Sequence, residues 1–147
     1  MTRELIDSLI FLIANLTNIL LSFLFLLRSK GHKKAENILG IVLISFAVPL
    51  LIFIVVNVSN EETWWRYILP LPLVFFFLIE LVLDYILKIE FRKTKLLWPY
   101  LLVFYMGLMG MIGYSFLVNK TYGYITLTTY FINLAATYFT YSNSGHG

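Results

Sequence analysis

The sequence predicts an all-α integral membrane protein: a bundle of five transmembrane helices, N-terminus outside and C-terminus in the cytoplasm. Three observations carry the expectation. First, of the 147 residues 60% are hydrophobic and 13% charged, where soluble domains average about 45–50% and about 25%. A soluble fold cannot hide that much apolar surface, so a bilayer is the expected solvent. Second, five segments stay apolar over the roughly 20 residues that a crossing helix needs. Third, eight of the eleven lysines and arginines fall in two of the four joints. The chain reads as a single domain over 1–147, in a multi-pass protein of the cytoplasmic or plasma membrane.

The first segment, Leu5–Leu27, is too long and lacks the small-residue cleavage site of a removable signal peptide. Ser8, Asn15, Asn18 and Ser22 recur along it at steps of seven, three and four residues, which places them on one helical stripe. The joint "RSKGHKKAEN" follows, then Ile38–Val58, where Pro49 leaves the Ser45 carbonyl without its helical partner and predicts a kink. After "SNEETWWR" comes Tyr67–Leu87, with Pro70 and Pro72 shaping its entrance. After "KIEFRKTK" comes Leu96–Val118, with Pro99 in the first turn, where proline is tolerated. Gly107, Gly110 and Gly113 recur every third residue there and predict a close-packing face, with Met106, Met109 and Met111 as adaptable fillers. After "NKTYG" the last segment, Gly123–Tyr141, carries Thr126, Thr129, Asn133, Thr137 and Thr140 on one side and Tyr124, Leu127, Phe131, Leu134 and Tyr138 on the other.

Polar groups are costly against lipid, so both polar stripes are expected to face protein. Packing the first helix on the fifth would let Asn15, Asn18 and Asn133 pair across the seam. The short joints make sequential helices antiparallel neighbours. Arg28, Lys30, Lys33, Lys34, Lys88, Arg92, Lys93 and Lys95 then share one end, while Arg3, Arg66 and Lys120 share the other. The positive-inside rule assigns the richer end to the cytoplasm. The same eight side chains are the expected contacts for anionic lipid headgroups. Trp64, Trp65, Tyr122 and Tyr124 form one aromatic belt, and Trp98, Tyr100 and Tyr141 the other.

The third segment holds the candidate site. Glu80 lies about 4–5 Å past the middle of the span and Asp84 about 10 Å past it, at 1.5 Å per residue. A charge near that depth costs on the order of 3 kcal/mol. Glu80, Asp84, Lys88 and Arg92 follow at four-residue steps, the row that an α-helix would bring onto one face. Asp84 is therefore expected to pair with Lys88. Glu80 has no cation within a turn of its own helix and is expected to face the bundle. It would be either neutral there or bonded to the Asn and Ser stripe of the first helix, to Tyr105 or to Tyr114. Glu80 and Asp84, with Asn15, Asn18 and Asn133, are the candidate proton, ion or polar-ligand residues.

The remaining motifs exclude more than they assign. Without cysteine there is no disulfide framework, thiolate ligand or cysteine nucleophile. His32 and His146 both lie outside the spans, and His32 with Glu36 supplies only two ligands, too few for a metal site. No phosphate-binding loop, serine-hydrolase elbow or zinc-protease motif is present, so no catalytic residue, metal or cofactor is expected. Asn57-Val58-Ser59 and Asn119-Lys120-Thr121 match the glycosylation sequon but lie at the membrane edge, where a transferase has little access. No element for nucleic-acid recognition accompanies the basic joints. The leading expectation is a non-enzymatic accessory subunit or scaffold that assembles with itself or with a membrane-protein partner in the bilayer. The alternatives are a small proton- or cation-coupled transporter or channel using Glu80, and an intramembrane enzyme acting on lipid.

Overall fold

A computed structural model describes residues 2–90 and 94–144. Helix α1 covers Arg3–Ser29 and is capped at its start by the Thr2 hydroxyl, which accepts from the Leu5 amide. It ends where Gly31 takes a positive φ of 76°. Helix α2 then starts at Lys33, five residues before the expected Ile38. The reason is the Arg28 to Glu36 ion pair at 2.8 Å, which ties the last turn of α1 to the first turns of α2 and makes helix out of what read as a polar joint.

The kink expected from Pro49 is present. Helix α2 stops at Ser45 and helix α3 runs Ala47–Ser59. At the break the Phe46 amide reaches back only three residues, to the Leu43 carbonyl, and regular bonding resumes with Leu50 to Phe46. The third span is also divided. Helix α4 is the single turn Trp65–Ile68, and α5 is Leu71–Glu80, with Pro72 in its first turn. From Leu81 to Ile86 the helix widens into a π-helical segment, where the Leu87 amide bonds the carbonyl five residues back at Val82. It ends at Lys88, whose φ of 53° is left-handed. Helix α6 covers Leu97–Val118 and α7 Lys120–Ser144. The two are joined through one extended residue, Asn119, whose side chain accepts from the Tyr122 amide and starts α7 three residues earlier than expected.

Among the described residues the fold is all-helical. Four helices are long and apolar enough to cross a membrane: Arg3–Ser29, Lys33–Ser59, Trp65–Ile86 and Leu97–Val118, counting each broken span as one. Helix α7 is long enough at 25 residues, but its threonines and Asn133 leave it less apolar than these four. The packing forms a ring in which α1 touches α2, α3, α5's partner α6 and α7, while α5 packs on α6 and α3, and α6 on α7. The core centres on Ile6, Ile10, Leu50, Leu73, Phe77, Met111 and Tyr114, all nearly inaccessible.

The glycine face of α6 lies against the break between α4 and α5. A Cβ at Gly110 would sit 2.5 Å from the Leu69 carbonyl oxygen, and one at Gly107 would sit 3.0 Å from the Leu73 Cα. Gly113 meets only the Leu69 side chain, at an ordinary 3.7 Å. Backbone cannot give way as a flexible side chain can, so Gly110→Ala should lower stability by about 1–3 kcal/mol through overpacking. Gly113→Ala should be neutral or stabilising by up to about 1 kcal/mol, from alanine's helix propensity. Thermal unfolding of the two variants in the same detergent checks the order, and equal midpoints would refute the close approach.

Candidate functional site

The polar side chains of the bundle fall into three groups at successive depths. At the basic end, the carboxyl of Glu80 is buried (8% exposed) at the last α-helical turn of α5. Tyr100 of α6 donates its phenol to Glu80 Oε2 at 2.6 Å. The tyrosine that meets it is thus Tyr100, where the sequence pointed to Tyr105 or Tyr114. Proximity explains it: Tyr100 is on the first turn of α6, the helix that packs most closely on α5, and its ring also lies 5.5 Å from that of Phe76.

Glu80 borders a cavity of about 120 Å³, shared with Arg28, Glu36, Asp84 and Tyr85. Tyr85 reaches across from the π-helical segment and donates to the Asn37 carbonyl at 3.2 Å. Its hydroxyl occupies the space that a Cβ at Gly40 would need, 2.1 Å away. Of the expected row Glu80–Asp84–Lys88–Arg92, Glu80 and Asp84 share this cavity, but the α-helix does not carry the row on to Lys88. Lys88 lies beyond the helix end, where its left-handed φ of 53° turns the chain off the helical path. Among the described residues no ion pair joins Asp84 to Lys88. Arg92 and Lys93 lie outside the described residues. Lys30, Lys33, Lys34, Lys88 and Lys95 are exposed, while Arg28 is half-buried on Glu36.

The second group is the seam between α1 and α7. Asn15 donates to Thr126 Oγ1 at 3.1 Å, and the Thr129 hydroxyl donates to Asn15 Oδ1 at 2.8 Å. Asn18 donates to Thr129 Oγ1 at 3.0 Å and accepts from Asn133 at 3.4 Å. Thr126 donates to Ser115 Oγ of α6 at 2.9 Å, which brings a third helix into the network. Asn15, Asn18 and Asn133 therefore meet where the two stripes face one another. Residue numbers rise together on both helices, so α1 and α7 run parallel.

The third group, at the opposite end, was not anticipated from sequence. Asp7 and Arg66 are both buried, at 5% and 9% exposed, and Arg66 donates to Asp7 Oδ1. Tyr114 of α6 donates to the same oxygen at 2.6 Å. The guanidinium lies 4.5 Å over the Trp65 ring, and Glu62 stands 3.8 Å from Arg66 Nε while also accepting from Arg3. Asn57 is nearly inaccessible and donates to the Arg66 carbonyl, so the amide of the first sequon has no room for a glycan. One sequence signal pointed here: Asp7 falls on the extension of the stripe through Asn15, Asn18 and Ser22, four residues to the turn. Comparisons with protein-family models, curated proteins and solved structures give no match.

Removing one partner of a buried pair strands the other charge and typically costs about 3–5 kcal/mol. Arg66→Gln and Asp7→Asn should each destabilise by that order, and the double variant by clearly less than their sum. Denaturant or thermal unfolding of the four proteins checks it; additive losses would show that the two side chains are not coupled.

Proposed function

We propose that this chain is a multi-pass membrane protein of five crossing helices, α7 being the fifth, with the basic end in the cytoplasm and the N-terminus outside. Its role in this reading is that of a non-enzymatic accessory subunit or scaffold, assembling with itself or a membrane-protein partner. The observation that carries the reading is the α1–α7 seam. At mid-depth, where a conduit or a reaction centre would need polar groups turned toward a ligand, Asn15, Asn18, Thr126, Thr129 and Ser115 bond to one another. Buried polar groups satisfied in this way hold helices together. The outer surface carries large apolar side chains on every long helix, among them Phe23, Val48, Phe75, Leu102 and Phe131, which suits lipid or a partner's helices. Orientation follows from the distribution of cations. Two of the three cations at the opposite end, Arg3 and Arg66, are further offset by Glu62 and Asp7, which sharpens the asymmetry. Purification from native membranes in mild detergent should yield a stoichiometric companion or a defined homo-oligomer; a lone monomer would refute the subunit reading.

A second reading has one observation in its favour. The buried Glu80 carboxyl borders the cavity at the basic end, and an intramembrane carboxyl of this kind is a common proton or cation site. In reconstituted vesicles a transporter of this type would give a proton or cation flux that Glu80→Gln abolishes. Absence of flux in both proteins would remove this reading.

A further inference from the structure

We propose that Tyr85 is a gate on a one-sided entry for water, leading from the basic end to the Glu80 carboxyl. The inference deepens the second reading above, because it says how that carboxyl is reached. Two spaces adjoin there. The outer one is a cleft of about 590 Å³ between α2 and the π-helical segment, and the exposed Ile41, Lys88 and Ile89 on its border open it to the outside. The inner one is the cavity of about 120 Å³ that holds Glu80, roomy enough for several waters at about 30 Å³ each. Asn37, Asp84 and Tyr85 border both spaces, so the boundary runs through them.

Tyr85 is the member of that boundary built to move. Its half-buried ring crosses from the π-helical segment to α2, where the hydroxyl donates to the Asn37 carbonyl at 3.2 Å. The seat for the hydroxyl is Gly40, whose Cβ, were there one, would lie 2.1 Å from it. An interior glycine weakens a helix relative to alanine, and here the missing side chain is what lets the phenol sit against α2. The bond that holds it there is neutral and at an exposed position, where water can take its place. The cleft gives the ring room to swing outward. Its anchor is a π-helical turn, a departure from α-helix that recurs at functional sites.

The other walls are fixed. Leu24 is buried, and the Arg28–Glu36 pair is closed at 2.8 Å. Toward the opposite end the carboxyl is backed by the Tyr100 phenol and by Leu73, Phe76 and Phe77, each at most 3% exposed. Core side chains packed at interior density bar water from that direction. With Tyr85 seated, the carboxyl is held apart from bulk water. With Tyr85 swung out, cleft and cavity join, and Glu80 meets water from the basic end alone.

The test is labelling of the full chain in detergent with a water-soluble carbodiimide and a glycine ester, read at each carboxyl by peptide mass spectrometry. In the unaltered protein Glu80 should react far more slowly than the exposed Glu61. A gate open in at most about one molecule in ten limits the rate by that fraction, so removing it should speed Glu80 labelling about tenfold or more. Tyr85→Ala removes the ring and Gly40→Ala evicts it, and both should show the gain. Alanine also favours the helix at position 40, so the second variant keeps the test alive if the first does not fold. Asp7, buried at the opposite end, should stay slow in both and reports unfolding. Glu80 labelled as fast as Glu61 in the unaltered protein, or a rate unchanged in both variants, overturns the gate. An equal gain at Asp7 in both variants also overturns it, since access then comes from general opening. In sealed vesicles the reagent should reach Glu80 only in molecules whose basic end faces outward, marked by an impermeant amine label on the exposed Lys33 and Lys34; labelling of the unmarked molecules as well overturns the one-sided entry. The expected gain without any proton or cation flux removes the transport reading and keeps the gate, while flux without the gain does the reverse.

Discussion

In an apolar surrounding no water replaces a lost hydrogen bond, so a polar side chain on a greasy helix needs a partner on its own helix or on another. Helix α1 is where that constraint acts most strongly. It carries Asp7, Asn15, Asn18 and Ser22, and three of these are answered by three different segments: Arg66 of α4, Tyr114 of α6, and the threonine stripe of α7. Ser22 is answered within α1 itself, by the Asn18 carbonyl. The ring of helices closes around these bonds. Apolar packing alone would leave rotation and depth weakly specified, because one leucine-rich face resembles another. The polar groups set both.

The same constraint accounts for what could be read in the sequence. Periodicity reveals a stripe, so the meeting of Asn15 and Asn18 with Thr126, Thr129 and Asn133 was foreseeable from spacing alone. Pro49 has a local consequence and produced a local break. Glu80 was visible as an anomaly, but its partner was not. Tyr100 lies twenty residues away on the next helix and read as a belt tyrosine, and only the packing of α5 on α6 brings the two together. Asp7 and Arg66 were hidden for a different reason. Each lies close to an apparent helix end, where a charge normally needs no explanation, and their joint burial is what marks them as a pair. The π-helical segment had no signal at all, since its residues, "LVLDYI", are ordinary in an α-helix.

The joints were misread in a consistent direction. Polar residues at Lys33–Glu36 and Lys120–Tyr122 looked like loop and are first helical turns. The first amides of a helix need acceptors from outside the helix, and polar side chains close to the start supply them. Asn119 does so directly for Tyr122. Polarity at the end of an apolar run therefore marks the edge of the greasy region more reliably than the edge of the helix.

The parallel pairing of α1 with α7 has a consequence for biogenesis. The bonds across it join residues 111 to 115 positions apart, so every helix between α1 and α7 must be synthesised before they can form. At roughly 5–20 residues per second, Asn15 and Asn18 wait on the order of 5–20 s for their partners. During that interval a four-helix intermediate presents an open polar groove in place of the finished seam, and α7, the least apolar helix, has no hidden side until it arrives there. Helix α7 is thus the one that turns the preceding hairpins into a closed ring, and on the membrane reading proposed above an insertion factor that shields the groove would find its client in that intermediate.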